Sequence, residues 1–370
     1  MCIVLISTSH PQYALIVLDN RDEYILRPTS RPHWWTARPQ PAVPNGPANG
    51  TDGSREELAV LSSRDLYRAE RGTWLGITKG GNFAVLTNYR EMDTADAAHP
   101  VQGTRSRGAM VTAWLEADPA ESTKQFVHRM LDDGGVKGVG GFSLLCGKLR
   151  KVSGEKNIQP LAIISNRCDD AEQVPWICGQ RGSSYGLSNA TYLEPSDENK
   201  DALWPKIIQG TDMLNRALAA AGDEQELLTS LFQILDRDEF PPNHAMDLEE
   251  GLAHLKNSIF IPAFGGPRHQ QEMSEAQRQG NVKQTNHDFS PAVEVLTMAA
   301  RPDPPKPNGF ETGLYGTQRQ TVILVDWDGN VTYVERALWD SNGNPIPRGQ
   351  GDEIFHFKIV GWDHADELRN

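Results

Sequence analysis

Short apolar runs rich in β-branched residues recur from the first residues of this 370-residue chain to near its last, and that spread does most to narrow the folds open to it. Cys2-Ile-Val-Leu-Ile6 and Tyr13-Ala-Leu-Ile-Val-Leu-Asp19 flank the turn-forming stretch from Ser7 to Gln12, which predicts an N-terminal β-hairpin. Thr73 to Ile77 and Asn82 to Asn88 predict a second hairpin, turning at Gly80-Gly81. Phe142 to Cys146, Leu161 to Ser165 and Tyr185 to Asn189 read as further strands. Thr321 to Asp326 and Val331 to Glu335 flank Asp328-Gly329-Asn330, whose turn chemistry predicts a third hairpin. Strands from both ends of the chain argue for one α/β (α+β) domain over residues 1–370.

Helical spacing of apolar residues predicts helices over Ala109 to Leu115, Ala120 to Leu131, Leu203 to Ala221 and Glu224 to Leu235. Three stretches read as loop insertions, near 39–60, 190–203 and 265–310. Pro39 to Asp52 is rich in Pro, Gly and Asn, Gly265 to His287 is polar and poorly periodic, and Arg301 to Asn308 is Pro-rich.

Charge and cysteine usage bound the partners. The chain carries 36 basic and 49 acidic residues, a net charge of -13, which opposes nonspecific binding to nucleic acid or to an anionic membrane. The four cysteines, Cys2, Cys146, Cys168 and Cys178, have no zinc-ligand spacing and read as reduced thiols of a cytoplasmic protein. The ten histidines form no close-spaced metal motif, so neither metal nor cofactor is expected. Met1 to Val17 is apolar but lacks a basic start and is interrupted by Ser9 to Gln12, so it reads as strands rather than a secretory signal. No window reaches the ~20 apolar residues that span a bilayer, so no transmembrane segment is expected.

The chemistry centres on two places. Residue 2 is small, so removal of Met1 is expected; Cys2 would then carry a free α-amine beside its thiol, a nucleophile with its own base. The alternative is a small buried hydrophobe on a first strand. The second place is Asn20-Arg21-Asp22-Glu23, at the end of the second strand. Arg can grip a carboxylate or phosphate with two N–H groups, Asp and Glu can orient an amine, and Asn can donate to an oxyanion. If the strand runs on, Asn20 and Asp22 face one side and Arg21 and Glu23 the other. Asn88 and Asn189 close two other strands and could line an oxyanion hole, or simply satisfy turn groups. Arg319 precedes a strong strand and could supply a positive charge. Trp34-Trp35 could cap a pocket, although packing is the commoner use.

Several segments occur in one order: Met1 to Leu5, Leu18 to Glu23, Arg27-Pro28, Gly72 to Ile77, Ala84 to Tyr89, Tyr185 to Asn189, Trp204-Pro-Lys206, Tyr315-Gly-Thr317, Thr321 to Asp326 and Glu335-Arg336. The ordered set resembles the NRDE family, also called Transport and Golgi organisation protein 2. The resemblance implies a four-layer αββα sandwich like the N-terminal nucleophile hydrolases. It implies a role in Golgi organisation and secretory traffic, protein secretion included, with haem trafficking or the handling of an acyl-lipid or other small hydrophobic ligand. It makes a Golgi-associated or mitochondrial location an alternative to a plainly cytoplasmic one. The alternative function is an N-terminal cysteine amidohydrolase of a small acyl amide. Related cysteine amidohydrolases imply Cys2, Arg21, Asp22, Asn88 and Asn189 as catalytic, with Asn20, Glu23 and Arg319 holding ligand. Two departures stand out. Arg21 and Asp22 are adjacent where those hydrolases separate the pair, and the Arg expected after Tyr-Gly-Thr is Gln318, with Arg319 one place on. On a regular strand that shift carries the charge to the opposite face.

Overall fold

The structure is a computed structural model and describes residues 2–37, 56–89, 103, 105–194, 196, 198–199, 201–220, 222–283 and 310–363. Among the described residues thirteen strands occupy Cys2–Ser7 (β1), Tyr13–Tyr24 (β2), His33–Thr36 (β3), Ala59–Ser62 (β4), Leu75–Thr78 (β5), Asn82–Asn88 (β6), Phe142–Lys148 (β7), Leu161–Ser165 (β8), Trp176–Ile177 (β9), Ser184–Leu187 (β10), Tyr315–Asp326 (β11), Asn330–Ala337 (β12) and Asp352–Lys358 (β13). They form two antiparallel sheets, one of six strands in the order β10-β1-β2-β11-β12-β13 and one of seven running β3-β4-β5-β6-β7-β8-β9. The first and last parts of the chain meet where β2 pairs with β11, so both ends do close one sheet.

Strand alternation sorts the side chains into layers. Val4, Ile6, Leu15, Val17, Ile323, Val325, Val331 and Tyr333 of the six-stranded sheet pack against Leu61, Leu75, Ile77, Phe83, Val85 and Leu145 of the other, making a core between the sheets. The residues between them in sequence, Ile3, Leu5, Ile16, Leu18, Val322 and Leu324, face outward onto the helices Pro205–Ala220 (α3) and Glu224–Leu235 (α4). On the far side Ala84, Leu86, Leu144 and Cys146 meet Gly108–Leu115 (α1) and Thr123–Leu131 (α2). This is the four-layer αββα sandwich that the resemblance implied.

Local chemistry explains the boundaries. Gly329, at φ 80°, turns the β11–β12 hairpin in a conformation that only glycine adopts without strain. Ser122 and Gln125 form a reciprocal capping box that starts α2 three residues later than the apolar pattern predicted. Helix α3 opens on Pro205, whose missing N–H costs nothing there. It lies tight on the sheet because Gly210 has no Cβ; one would come within 2.8 Å of Leu5. That close seating carries Lys206, in the first turn, into the interior.

Two expectations about loops need correcting. Pro267–Lys283 is a helix (α6) inside the stretch read as an insertion, its weak pattern reflecting a largely solvated surface into which Met273 is buried. Ala59–Ser62 is a strand that begins at the end of the range read as loop, near 39–60, and pairs with β3 and β5. The short helix Leu248–His254 (α5) and the edge strand β13 also escaped the periodicity reading. Residues 39–52 and 301–308 lie outside the described residues. The Trp34-Trp35 pair packs on β3: Trp34 meets Phe357 edge-on, and Trp35 donates to Ser62 at 2.9 Å.

Candidate functional site

Cys2 begins β1, in register with Arg21 on β2. Its place in the alternation puts it on the face of Val4 and Ile6, toward the space between the sheets. Cys2 is 1% exposed. Its backbone N–H donates to Asn189 Oδ1 at 3.3 Å, and its carbonyl accepts from Ser188 Oγ at 2.9 Å. The same hydroxyl lies 3.2 Å from Asn189 Oδ1 and shares its one hydrogen between the two acceptors, while Asn189 Nδ2 donates to the carbonyl of Asn88 at 2.5 Å. Thus Asn189 clamps the nitrogen of the nucleophile candidate, and Asn88 takes part through its carbonyl. Burial pushes the Cys2 thiol up to about 12; the positive chain terminus opposes this, while Asp19 and Asp22 add to it.

The tetrad splits as regular alternation requires, because β2 runs on through Tyr24 instead of ending at Asp19. Arg21 lies on the inner face, 3% exposed, with Nη1 donating to Ser63 Oγ at 2.8 Å and its guanidinium carbon 4.6 Å from the Trp74 ring centroid. Its Nε and Nη2 are buried without a hydrogen-bond partner. Asp22 lies on the other face and accepts from Thr317 Oγ1 at 2.8 Å. Burial pushes its carboxyl up to about 6, although the chain terminus and Lys206 pull the other way.

Asn20 and Glu23, expected to hold ligand, both make contacts within the protein. Asn20 Nδ2 donates to the carbonyls of Leu235 and Ile259 at 2.8 and 2.9 Å, fastening the sheet to its helix layer. Glu23 bonds its neighbour's backbone N–H at 2.9 Å and pairs with Arg27 at 3.5 Å. Burial favours its protonated form, but Arg27 more than offsets that and holds the carboxyl below the usual range. Asn20 Oδ1 is buried without a hydrogen-bond partner.

Arg319 overturns the face argument made from sequence. Thr317 pairs with Asp22, and strict alternation from there would turn Arg319 outward with it. A register shift between Thr317 and Arg319 absorbs Gln318 as an extra residue, and Arg319 falls opposite Arg21. It therefore joins the inner face, 3.8 Å from Glu335 Oε1, with Nη1 donating to the Trp339 carbonyl at 2.8 Å. Burial lowers its guanidinium to about 9, Arg21 adding to the fall and Glu335 opposing it.

Sequence reasoning missed four participants. Lys206 is fully buried, its Nζ without a hydrogen-bond partner; burial lowers its pKa while Asp22 and Cys2 oppose the fall. Its signal was the Trp204-Pro-Lys206 segment, to which no role was attached. Ser188 sits beside Asn189 in a quoted segment. Asp19 and Glu335 read as strand residues, yet they share the inner face with both arginines, and burial pushes Asp19 up to about 8. Among the described residues no group of three or more His, Cys, Asp or Glu could hold a metal ion, and no helix is long and apolar enough to cross a membrane.

These features define a two-sheet αββα protein whose first strand delivers a cysteine to a buried polar cluster between the sheets. The chain belongs to the Transport and Golgi organisation 2 family, which it matches over residues 1–340. It is similar to the Transport and Golgi organization protein 2 homologs of Bos taurus, 27% identical, and Homo sapiens, 26% identical, each across 92% of this chain and 95% of the relative. An uncharacterized protein of Saccharomyces cerevisiae is 24% identical across 97% of this chain and all, 100%, of its own. Two solved structures of conjugated bile acid hydrolase from Clostridium perfringens, a mutant and a variant, align over 100% of both chains at 11% identity, with TM-scores of 0.33 and 0.34. That likeness is too slight to carry residue roles across.

Proposed function

We propose that this protein is an N-terminal cysteine amidohydrolase acting on a small acyl amide. The supporting observation is the capture of the Cys2 nitrogen by Asn189 beside Arg21. Once Met1 is removed that nitrogen is an amine with a reference pKa of about 7.7–8.0, basic enough to take the thiol proton. The adjacent ammonium and Arg21 then favour the thiolate against the effect of burial. Sulfur attacks the carbonyl carbon, and the C–S bond forms as the carbonyl becomes an oxyanion. The second N–H of Asn189 Nδ2 is available to that oxyanion. Collapse breaks the C–N bond, and the leaving amine takes the proton from the α-ammonium. Water then attacks the thioester and gives its proton to the α-amine; C–S cleavage releases the acid and restores the thiol. Asp22 steadies the positive charge of the amine from the other side of the strand, and Lys206 balances the carboxylate.

Intact mass spectrometry of protein incubated with N-acyl amides tests this. The expected result is loss of Met1 and a transient acyl adduct that disappears in Cys2→Ala. Retained Met1, or amide turnover unchanged in Cys2→Ala, would refute it.

A second reading has its own support. A thiol this deeply buried, with its pKa raised, is a poor nucleophile while the nitrogen stays in a peptide bond. On that reading the chain is a cytoplasmic, Golgi-linked protein of secretory traffic that handles haem or an acyl lipid, as the family name and resemblance suggest. Pull-down with haem or acyl-CoA, compared between the parent protein and Cys2→Ala, separates the two. Failure of both ligands to bind, with secretion normal when the protein is removed, would exclude it.

A further inference from the structure

Arg21 and Arg319 face each other in register on adjacent strands and lie on the same buried face of the sheet. Like charges directly opposite across a sheet repel, and the repulsion is strongest where water is excluded. The donors of the two residues are also incompletely used. Arg21 spends Nη1 on Ser63, but its Nε and Nη2 have no acceptor; Arg319 Nε has no hydrogen-bond partner, Glu335 standing off at 3.8 Å. Buried guanidinium N–H groups without acceptors call for an explanation. The Trp74 ring, 4.6 Å away, and the bond to Ser63 hold the guanidinium of Arg21, whose free edge presents two donors.

Charge counting says what would fit. Two guanidiniums face Glu335 and Asp19, and burial keeps Asp19 largely neutral near pH 7. The cluster is then one negative charge short. A carboxylate supplies one charge in a planar group that matches an arginine edge; a phosphate dianion would overshoot. The same row of the sheet runs from Cys2 through Arg21 to Arg319, successive strands lying about 4.8 Å apart.

We propose that Arg21 and Arg319 form a carboxylate seat, and that the ligand of this site is an acyl amide bearing a carboxylate close to its amide, as an N-acyl amino acid does. The substrate class rests on the reading of Cys2 as nucleophile; the seat itself does not. With the row spacing above, the carboxylate sits one to two strand widths, roughly 5–10 Å, from the sulfur.

The test uses N-decanoylglycine, its methyl ester and decyl phosphate as probes on the full-length protein with Cys2→Ala, so that hydrolysis does not confuse binding. The acid is expected to bind at least about tenfold more tightly than the ester, with decyl phosphate weaker than the acid. Arg319→Gln is expected to bring acid and ester to similar affinity while leaving the ester unchanged, and Arg319→Lys to restore part of the preference. Equal affinities in the protein with both arginines, including no binding of either, overturn the seat without reference to any arginine variant. A preference that survives both Arg319→Gln and Arg21→Gln overturns it too, and would leave ordered water to satisfy those donors. Tight binding of the acid with no turnover by the parent protein refutes the nucleophile reading alone; turnover with no preference for the acid refutes the seat alone.

Discussion

The inner face of the six-stranded sheet has two ends built on the same four strands. At one end Ile6, Leu15, Val17, Ile323, Val325 and Val331 pack against the second sheet as hydrocarbon. At the other, two to four residues further along, Asp19, Arg21, Arg319 and Glu335 occupy equivalent positions with Cys2 beside them. Apart from the register shift at Gln318, strand pairing and burial are alike, so the difference is chemistry. Apolar burial contributes about 1.5–3 kcal/mol per large side chain, whereas a buried ion pair roughly breaks even at best. The apolar end therefore holds the sandwich together. The charged end adds little to that stability.

Replacing one partner of the charged end should do the most damage. Glu335→Leu leaves Arg319 buried without its carboxylate and is expected to cost about 3–5 kcal/mol in denaturant unfolding. Adding Arg319→Met should recover most of that, or exceed the parent's stability; a double variant no more stable than the single one would show that the pair is structural. At the apolar end Ile323→Ala is expected to cost about 2–5 kcal/mol, with no second substitution that rescues it as cleanly.

The two ends should also differ in response to pH. Burial holds Asp19 protonated up to about 8, while the unfolded chain releases that proton near 4. Between those values the folded state binds the extra proton, so the contribution of Asp19 to stability falls as pH rises from about 4 to about 8. Asp22, held up to about 6, acts in the same direction over the lower part of that window. Asp19→Asn should flatten the decline between pH 6 and 8 in urea titrations at stepped pH; an unchanged slope would mean Asp19 is ionised in the folded protein. The smallest effect should come from Ser122→Ala, remote from both ends, which removes the α2 cap for about 1 kcal/mol and leaves the pH profile untouched.

How much was legible in the residues follows the range of the interactions. The hairpins at Gly80-Gly81 and Asp328 to Asn330 were readable because turn chemistry is local, and α4 was found over Glu224–Leu235 because its apolar stripe and Asp223 cap are local too. Cys2, Arg21 and Asn189 were singled out from strand ends and order, and the fold brings them together. Lys206 was not legible as part of the site, because its burial comes from α3 seating on the sheet through Gly210. Strand parity was misleading for Arg319, because a bulge is set by pairing with β2 and leaves no local mark in Thr317-Gln318-Arg319.

By itself the sequence determined the alternation of apolar and polar residues, and hence two sheets with buried faces, the family, and a cysteine at the head of the first strand. Tertiary structure alone decided which polar groups meet: Arg319 with Arg21 and Glu335, Lys206 with Asp22, Asn189 with Cys2. The physical reason is that periodicity depends on neighbours a few residues apart. The meeting of charges depends on register between strands some 300 residues apart along the chain, here Arg21 with Arg319, and register is chosen only when the whole sheet pairs at once.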